Sequence, residues 1–89
     1  MTRKYLIGGV VQGVGFRYFA LRQATALGIV GWTRNLPDGR VEVVAQGEQA
    51  ALTALEQALS RGPSHSRVAN VEKQEISDDV ADVSGFEIR

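Results

Sequence analysis

Cysteine is absent from this chain, histidine occurs once, and the ten basic and ten acidic side chains cancel to a formal net charge of zero. Without thiols there is no disulfide framework, no thiolate nucleophile and no zinc-finger ligand spacing, a pattern compatible with the cytoplasm. A lone histidine and no cluster of ligating residues leave no reason to expect a metal, and no motif asks for a cofactor. Zero net charge gives no broad field to draw the chain to nucleic acid or to an anionic membrane, so any anion site must be local. Long apolar runs are missing too. The opening MTRKYLIGGVV is too short for a membrane span and lacks a signal-peptide cleavage region, so it reads as a first strand. At 89 residues, 44% of them hydrophobic, residues 1–89 form one domain with a single modest core.

What is present is concentrated in Val11 to Arg17, VQGVGFR. Gly13 and Gly15 can take positive φ without a Cβ penalty, so the chain can curl and aim successive amides at one point. A helix beginning near Phe16 adds its own unpaired amides and dipole. Arg17 supplies a planar fork that matches two oxygens of a phosphate. Competing readings of the run fail on specific residues. A dinucleotide fingerprint needs a third glycine where Tyr18 stands, and an acid about twenty positions on, where Trp32 to Asn35 offers none. A Walker loop needs Gly-Lys followed by Ser or Thr, and that triplet is absent. GVGFRYF is similar to the aromatic strand of an RNA-recognition domain, but FRYFALRQATALG carries Phe16, Phe19, Ala20, Ala24 and Leu27 at helical spacing, which makes them core.

The pattern of elements is βαββαβ with a short final strand. Lys4 to Val11 reads as extended and Phe16 to Leu27 as helical, with Gly28 ending the helix. Ile29 to Leu36 and Arg40 to Gln46 form a hairpin across Leu36-Pro37-Asp38-Gly39-Arg40, where proline presets φ, aspartate bonds back to the chain and glycine takes the left-handed position. Glu48 to Arg61 is an amphipathic helix carrying Leu52, Leu55 and Leu59, ended by Gly62-Pro63. Arg67 to Ile76 is a fourth strand, and Phe86 and Ile88 point inward from the last. Such an order implies an α+β domain with two helices on one face of an antiparallel sheet. Because strands joined by a crossover helix run parallel, the C-terminal ends of the first two strands share an edge, bringing Arg17 and Asn35 together. Alternation puts Gly31, Thr33 and Asn35 on one face and Val30, Trp32, Arg34 and Leu36 on the other.

VQGVGFR followed by GWTRNLPDGRVEVVAQG, with GPSHSRV and the terminal GFEIR, resembles the acylphosphatase family along nearly the whole chain. The resemblance implies a ferredoxin-like fold with the third strand between the first two. It maps the family's two catalytic residues onto Arg17 and Asn35. Its substrate is a small-molecule acyl phosphate, its product inorganic phosphate, and its expected state a monomer without nucleic-acid or membrane partners. Two departures stand out: Val10 where relatives often carry a basic residue, and Thr33 where an apolar one is common. Both are expected to tune the mouth of the site.

The chemistry suits a site so sparsely equipped. A carboxylate leaving group is a weak base with a pKa of about 4 to 5, as for side-chain carboxyls, so no general acid is required. What remains is to neutralise the phosphoryl oxygens and aim a water in line. The amides of Gly13, Val14, Gly15, Phe16 and Arg17, with the Arg17 guanidinium, are expected to hold those oxygens, and Asn35 to orient the water. A cleft that grips only the phosphate implies tolerance of the acyl group.

Other residues weigh less. His65 sits in a Gly-Pro-Ser-His-Ser turn and reads as solvated, and Ser64 and Ser66 as turn residues. Asp78, Asp79 and Asp82 lack the glycine and terminal glutamate of a calcium loop. Trp32 reads as core beside the hairpin. Two rival functions remain: a non-catalytic anion-binding module on the same fold, opposed by the presence of both Arg17 and Asn35, and a nucleic-acid binder, opposed by neutral charge with no basic stripe.

Overall fold

The apolar periodicities that mark the strands and helices are realised as a five-stranded sheet carrying two helices on one face. The computed structural model describes residues 1–80 and 84–89. Along the chain come β1 (Thr2–Val10), α1 (Phe16–Ala26), β2 (Val30–Asn35), β3 (Val41–Gln46), α2 (Gln49–Arg61), β4 (Arg67–Ile76), a 3-10 turn (Asp78–Val80) and β5 (Phe86–Ile88). The sheet order is β4-β1-β3-β2-β5. The first four strands pair antiparallel and make the ferredoxin-like βαββαβ arrangement, while β5 adds to the edge parallel to β2.

Period-two alternation decides which side of each strand meets the helices. Tyr5 and Ile7 of β1 and Val41, Val43 and Ala45 of β3 point to the helical face, where they meet Phe16, Ala20 and Ala24 of α1 and Leu52, Leu55 and Leu59 of α2. These side chains are fully or nearly fully buried and make the one core. Phe16 touches Phe19 edge to face, with centroids 6.0 Å apart, and Phe86 packs against the same cluster from the added strand.

The same alternation corrects one expectation. Trp32 is not core: it lies on the open face opposite Val44, half-buried, with the Arg89 guanidinium stacked 4.2 Å from its ring centroid. The register that turns Asn35 toward the helices turns Trp32 away from them. Beside it on that open face, Glu42 accepts from Arg34 Nε at 2.7 Å. The final strand departs from expectation as well, since Phe86 is half-buried while Ile88 stays 40% exposed. Of the three aspartates, Asp78 fastens the chain's start, accepting from the Thr2 hydroxyl at 2.8 Å and lying 3.4 Å from the terminal ammonium. Those two donors hold its carboxyl below the usual range, the Thr2 hydrogen bond foremost. Asp79 is exposed in the same turn, and Asp82 lies outside the described residues.

Candidate active site

The edge where β1 and β2 end holds the loop between β1 and α1. Val41 pairs with Ile7 on one side and with Asn35 on the other, so Asn35 is level with Ile7 of β1 across two strand spacings, about 10 Å. The chain leaving β1 curls over that gap. It does so through Gly13 at φ 76° and Gly15 at φ 78°, both in the left-handed region that a side chain disfavours. Gly15 is the N-cap of α1 and has no side chain to cap it. Its carbonyl accepts from Phe19 at 3.0 Å and starts the helix. Among the described residues the amides of Gly13, Val14, Gly15, Phe16, Arg17 and Tyr18 donate to no backbone carbonyl. Those of Gly15 to Tyr18 are the orphan donors that a helix start presents to an anion.

Gly13, Gly15, Phe16 and Arg17 line one cavity of about 180 Å³. Asn35 forms part of the same wall, and Tyr18, Ile88 and Val11 complete it. Arg17 and Asn35 therefore share one cavity, as the crossover argument requires. Among the described residues no carboxylate pairs with the Arg17 guanidinium. Val14 differs from its loop neighbours. It does not line the cavity, and its side chain packs against the core, which pins the middle of the loop to the domain.

A residue that sequence reasoning passed over ties the loop to Asn35. The Gln12 carboxamide nitrogen donates to the Leu36 carbonyl at 2.8 Å and to the Arg40 carbonyl at 2.9 Å. Both acceptors belong to the hairpin turn that follows Asn35. That turn is itself closed by Leu36 N donating to Arg40 O at 2.8 Å and Gly39 N to Leu36 O at 3.1 Å. Asp38 steadies it by accepting from the Arg40 amide at 3.1 Å and from Arg40 Nε at 2.8 Å. The amide contact is the chief reason the Asp38 carboxyl stays below its usual range. Only a long amide beside the two glycines, within reach of a turn, could have hinted at this bridge in the sequence.

The two departures from the family pattern do not sit at the mouth. Val10 is 56% exposed but does not line the cavity. Thr33 is fully buried on the helical face, and its hydroxyl has no hydrogen-bond partner among the described residues. His65 is exposed, and Ser66 closes its turn by donating to the Pro63 carbonyl at 2.7 Å. Among the described residues no three His, Cys, Asp or Glu side chains gather as metal ligands, and no helix is long and apolar enough to cross a membrane.

The family model for acylphosphatase matches residues 3–88. The chain belongs to the acylphosphatase family. It is 49% identical over 84 residues to an acylphosphatase of Chlorobaculum tepidum, covering 91% of each chain. Its fold superposes on the crystal structure of acylphosphatase from Bacillus subtilis with a TM-score of 0.92 at 35% identity, covering 99% of this chain and 97% of that one. An acylphosphatase from Coxiella burnetii gives the same TM-score at 39% identity, over 99% and 90% of the two chains. The chain is thus an enzyme of the acylphosphatase family, a hydrolase, and the cavity at the β1–α1 loop is its candidate active site.

Proposed function

We propose that this enzyme hydrolyses the carboxyl–phosphate bond of small-molecule acyl phosphates without a metal or cofactor. Loop amides without a backbone acceptor and an Arg17 guanidinium without a carboxylate partner among the described residues, with Arg17 and Asn35 lining one cavity, carry this reading. The amides of Gly13, Val14, Gly15, Phe16 and Arg17, with the guanidinium, bind the phosphoryl oxygens. Arg17 adds a bidentate contact that a point charge cannot copy. The Asn35 carboxamide holds a water in line with the bond to be broken. Attack forms a new P–O bond as the P–O bond to the acyl group breaks, and the electron pair leaves with the carboxylate. The water's proton passes to the phosphate, because a carboxamide is too weak a base to keep it and a phosphate monoester has a second pKa of about 6. An acyl phosphate dianion and water thus yield a carboxylate and dihydrogen phosphate. Every group named belongs to one chain, so a single copy carries the whole site.

The test is hydrolysis of acetyl phosphate with and without EDTA. Losing one preorganised oxyanion donor lowers turnover by about 10²- to 10³-fold, and Arg17 supplies two such bonds and a charge. Arg17→Ala therefore abolishes measurable hydrolysis and weakens phosphate binding, and Arg17→Lys restores little of either. Asn35→Ala cuts turnover while phosphate still binds. Near-normal turnover of folded Asn35→Ala removes asparagine from the mechanism, and silencing of the wild type by EDTA overturns the metal-free scheme. Phosphate binding without any hydrolysis leaves an anion-binding module instead.

A further inference from the structure

Resting on the reading that the loop amides hold the phosphoryl group, we propose that the turn between α2 and β4, Gly62 to Ser66, positions the phosphate loop from behind, through the ring of Phe16. Phe16 joins the site to the core. It lines the cavity, and its amide has no backbone acceptor among the described residues. Its ring is 1% exposed and packs among the core side chains, meeting Phe19 edge to face. A ring locked in a close-packed interior cannot retreat without carrying its own backbone along. Whatever the ring rests on therefore helps to fix where the first helical amide lies. The Gly-Pro-Ser-His-Ser run, to which the proposed chemistry assigns no part, supplies one such support.

The support begins where α2 stops. Gly62 N donates to the Ala58 carbonyl at 2.9 Å, and the residue then takes φ 67° and ψ 176°, a combination essentially confined to glycine. A Cβ on Gly62 would lie 3.0 Å from Phe16 Cε2 and 3.1 Å from Val68 Cγ2, and would collide with Ser66 Oγ. Carbon atoms rest about 3.5 to 4.0 Å apart, so the space between this backbone and the Phe16 ring is too small for a methyl group. The turn itself is closed twice. Ser66 N donates to the Pro63 carbonyl at 3.0 Å, and Ser66 Oγ donates to the same carbonyl at 2.7 Å. Val68, at the start of the next strand, packs against the core as does Val14 of the loop. Gln12 thus ties the beginning of the loop to the hairpin, and this turn backs its end. Gly62 and Ser66 are positioning residues, acting on the phosphoryl group only through Phe16.

The experiment measures Kd for inorganic phosphate, and kcat and KM on acetyl phosphate, at a temperature where circular dichroism shows each protein folded. The proteins are the wild type, Gly62→Ala, Ser66→Ala, Phe16→Leu, the Gly62→Ala/Phe16→Leu double variant, and Val44→Ala as a control. Val44 is 2% exposed on the open face of the sheet, so its truncation destabilises the domain without touching the turn or the loop. A methyl group at Gly62 drives the ring back by about 0.5 Å or more, and a misplacement of about 1 Å lowers turnover by about 10²-fold. Gly62→Ala is therefore expected to lose about tenfold in kcat/KM and to bind phosphate more weakly, while Val44→Ala keeps both values. Ser66→Ala, which drops one of the two bonds closing the turn, shows a smaller loss in the same direction. In the Phe16→Leu background, where Cε2 is gone, adding Gly62→Ala changes little, which is the coupling that a role in stability alone does not produce in folded protein. Wild-type Kd and kcat/KM in folded Gly62→Ala, an equal loss in Val44→Ala, or additive losses in the double variant each overturn the proposal. If Gly62→Ala does not fold, unchanged values in Ser66→Ala overturn it and reduced ones uphold it. Failure of the wild type to hydrolyse acetyl phosphate refutes the underlying reading of the loop instead.

Discussion

Replacing Gln12 by alanine should damage catalysis far more than stability. Its carboxamide makes two neutral hydrogen bonds, to Leu36 O at 2.8 Å and Arg40 O at 2.9 Å. Such bonds contribute about 0.5 to 1.5 kcal/mol each. Neither acceptor is orphaned by the change, because Leu36 O keeps the Gly39 amide and Arg40 O keeps the Leu36 amide. The penalty of an unsatisfied buried group is thereby avoided, which puts the total at about 1 to 2 kcal/mol. For a domain of this size the melting temperature falls by roughly 5 to 15 °C, and the variant remains folded at room temperature. Yet Gln12 is the direct side-chain link between the loop that carries the amides and the turn that follows Asn35. A misplacement of about 1 Å between groups that must act together lowers turnover by about 10²-fold. Gln12→Ala is therefore expected to lose about 10- to 100-fold in kcat on acetyl phosphate with a smaller change in phosphate affinity. Gln12→Glu, equal in length but facing two carbonyls with a carboxylate, should lose more. Wild-type kcat in folded Gln12→Ala would refute the argument, since the loop would then hold its position relative to Asn35 without the bridge.

Thr33→Val removes a fully buried hydroxyl that has no partner among the described residues and keeps the branched shape, so it should stabilise the domain by about 1 kcal/mol, read as a higher urea midpoint with unchanged m. A lower midpoint would mean that the hydroxyl is satisfied. Gly31→Ala should destabilise the domain by about 3 kcal/mol or more, because the residue sits at φ 143° and a Cβ would run into the Val44 carbonyl; an unchanged urea midpoint would contradict it. Burial raises the Tyr5 hydroxyl above its ordinary pKa of 10.0, with the Arg3 hydrogen bond acting the other way. A folded pKa above the unfolded one leaves stability intact below about pH 10 and erodes it as pH rises through the folded value. Tyr5→Phe should therefore flatten the alkaline limb of the stability profile, and superimposable limbs for the two proteins would rule this contribution out.

The legible parts of this molecule were those governed by local rules. Helical spacing in FRYFALRQATALG and the leucines of α2, turn chemistry at Pro37-Asp38-Gly39, and the glycine pair at 13 and 15 each act over a few residues, so their consequences can be read in order. The crossover rule extended that reach to one long-range conclusion, the shared edge of Arg17 and Asn35, because chirality and short connections leave few other arrangements. Trp32 shows where composition misleads. A large aromatic suggests core, but its parity in the strand had already committed it to the face opposite Asn35.

The sequence by itself determined the glycine loop before α1, the order of elements and the pair of polar side chains on one edge, since backbone freedom, periodicity and strand parity are properties of neighbouring residues. Only the tertiary structure decided that Gln12 fastens the loop to the hairpin, that Thr33 is sealed in the core instead of standing at the mouth, and that β5 returns parallel to β2 to set Ile88 beside Tyr18. Each of those depends on which distant segments become neighbours, and that is fixed by how the whole sheet and its two helices bury their apolar faces together.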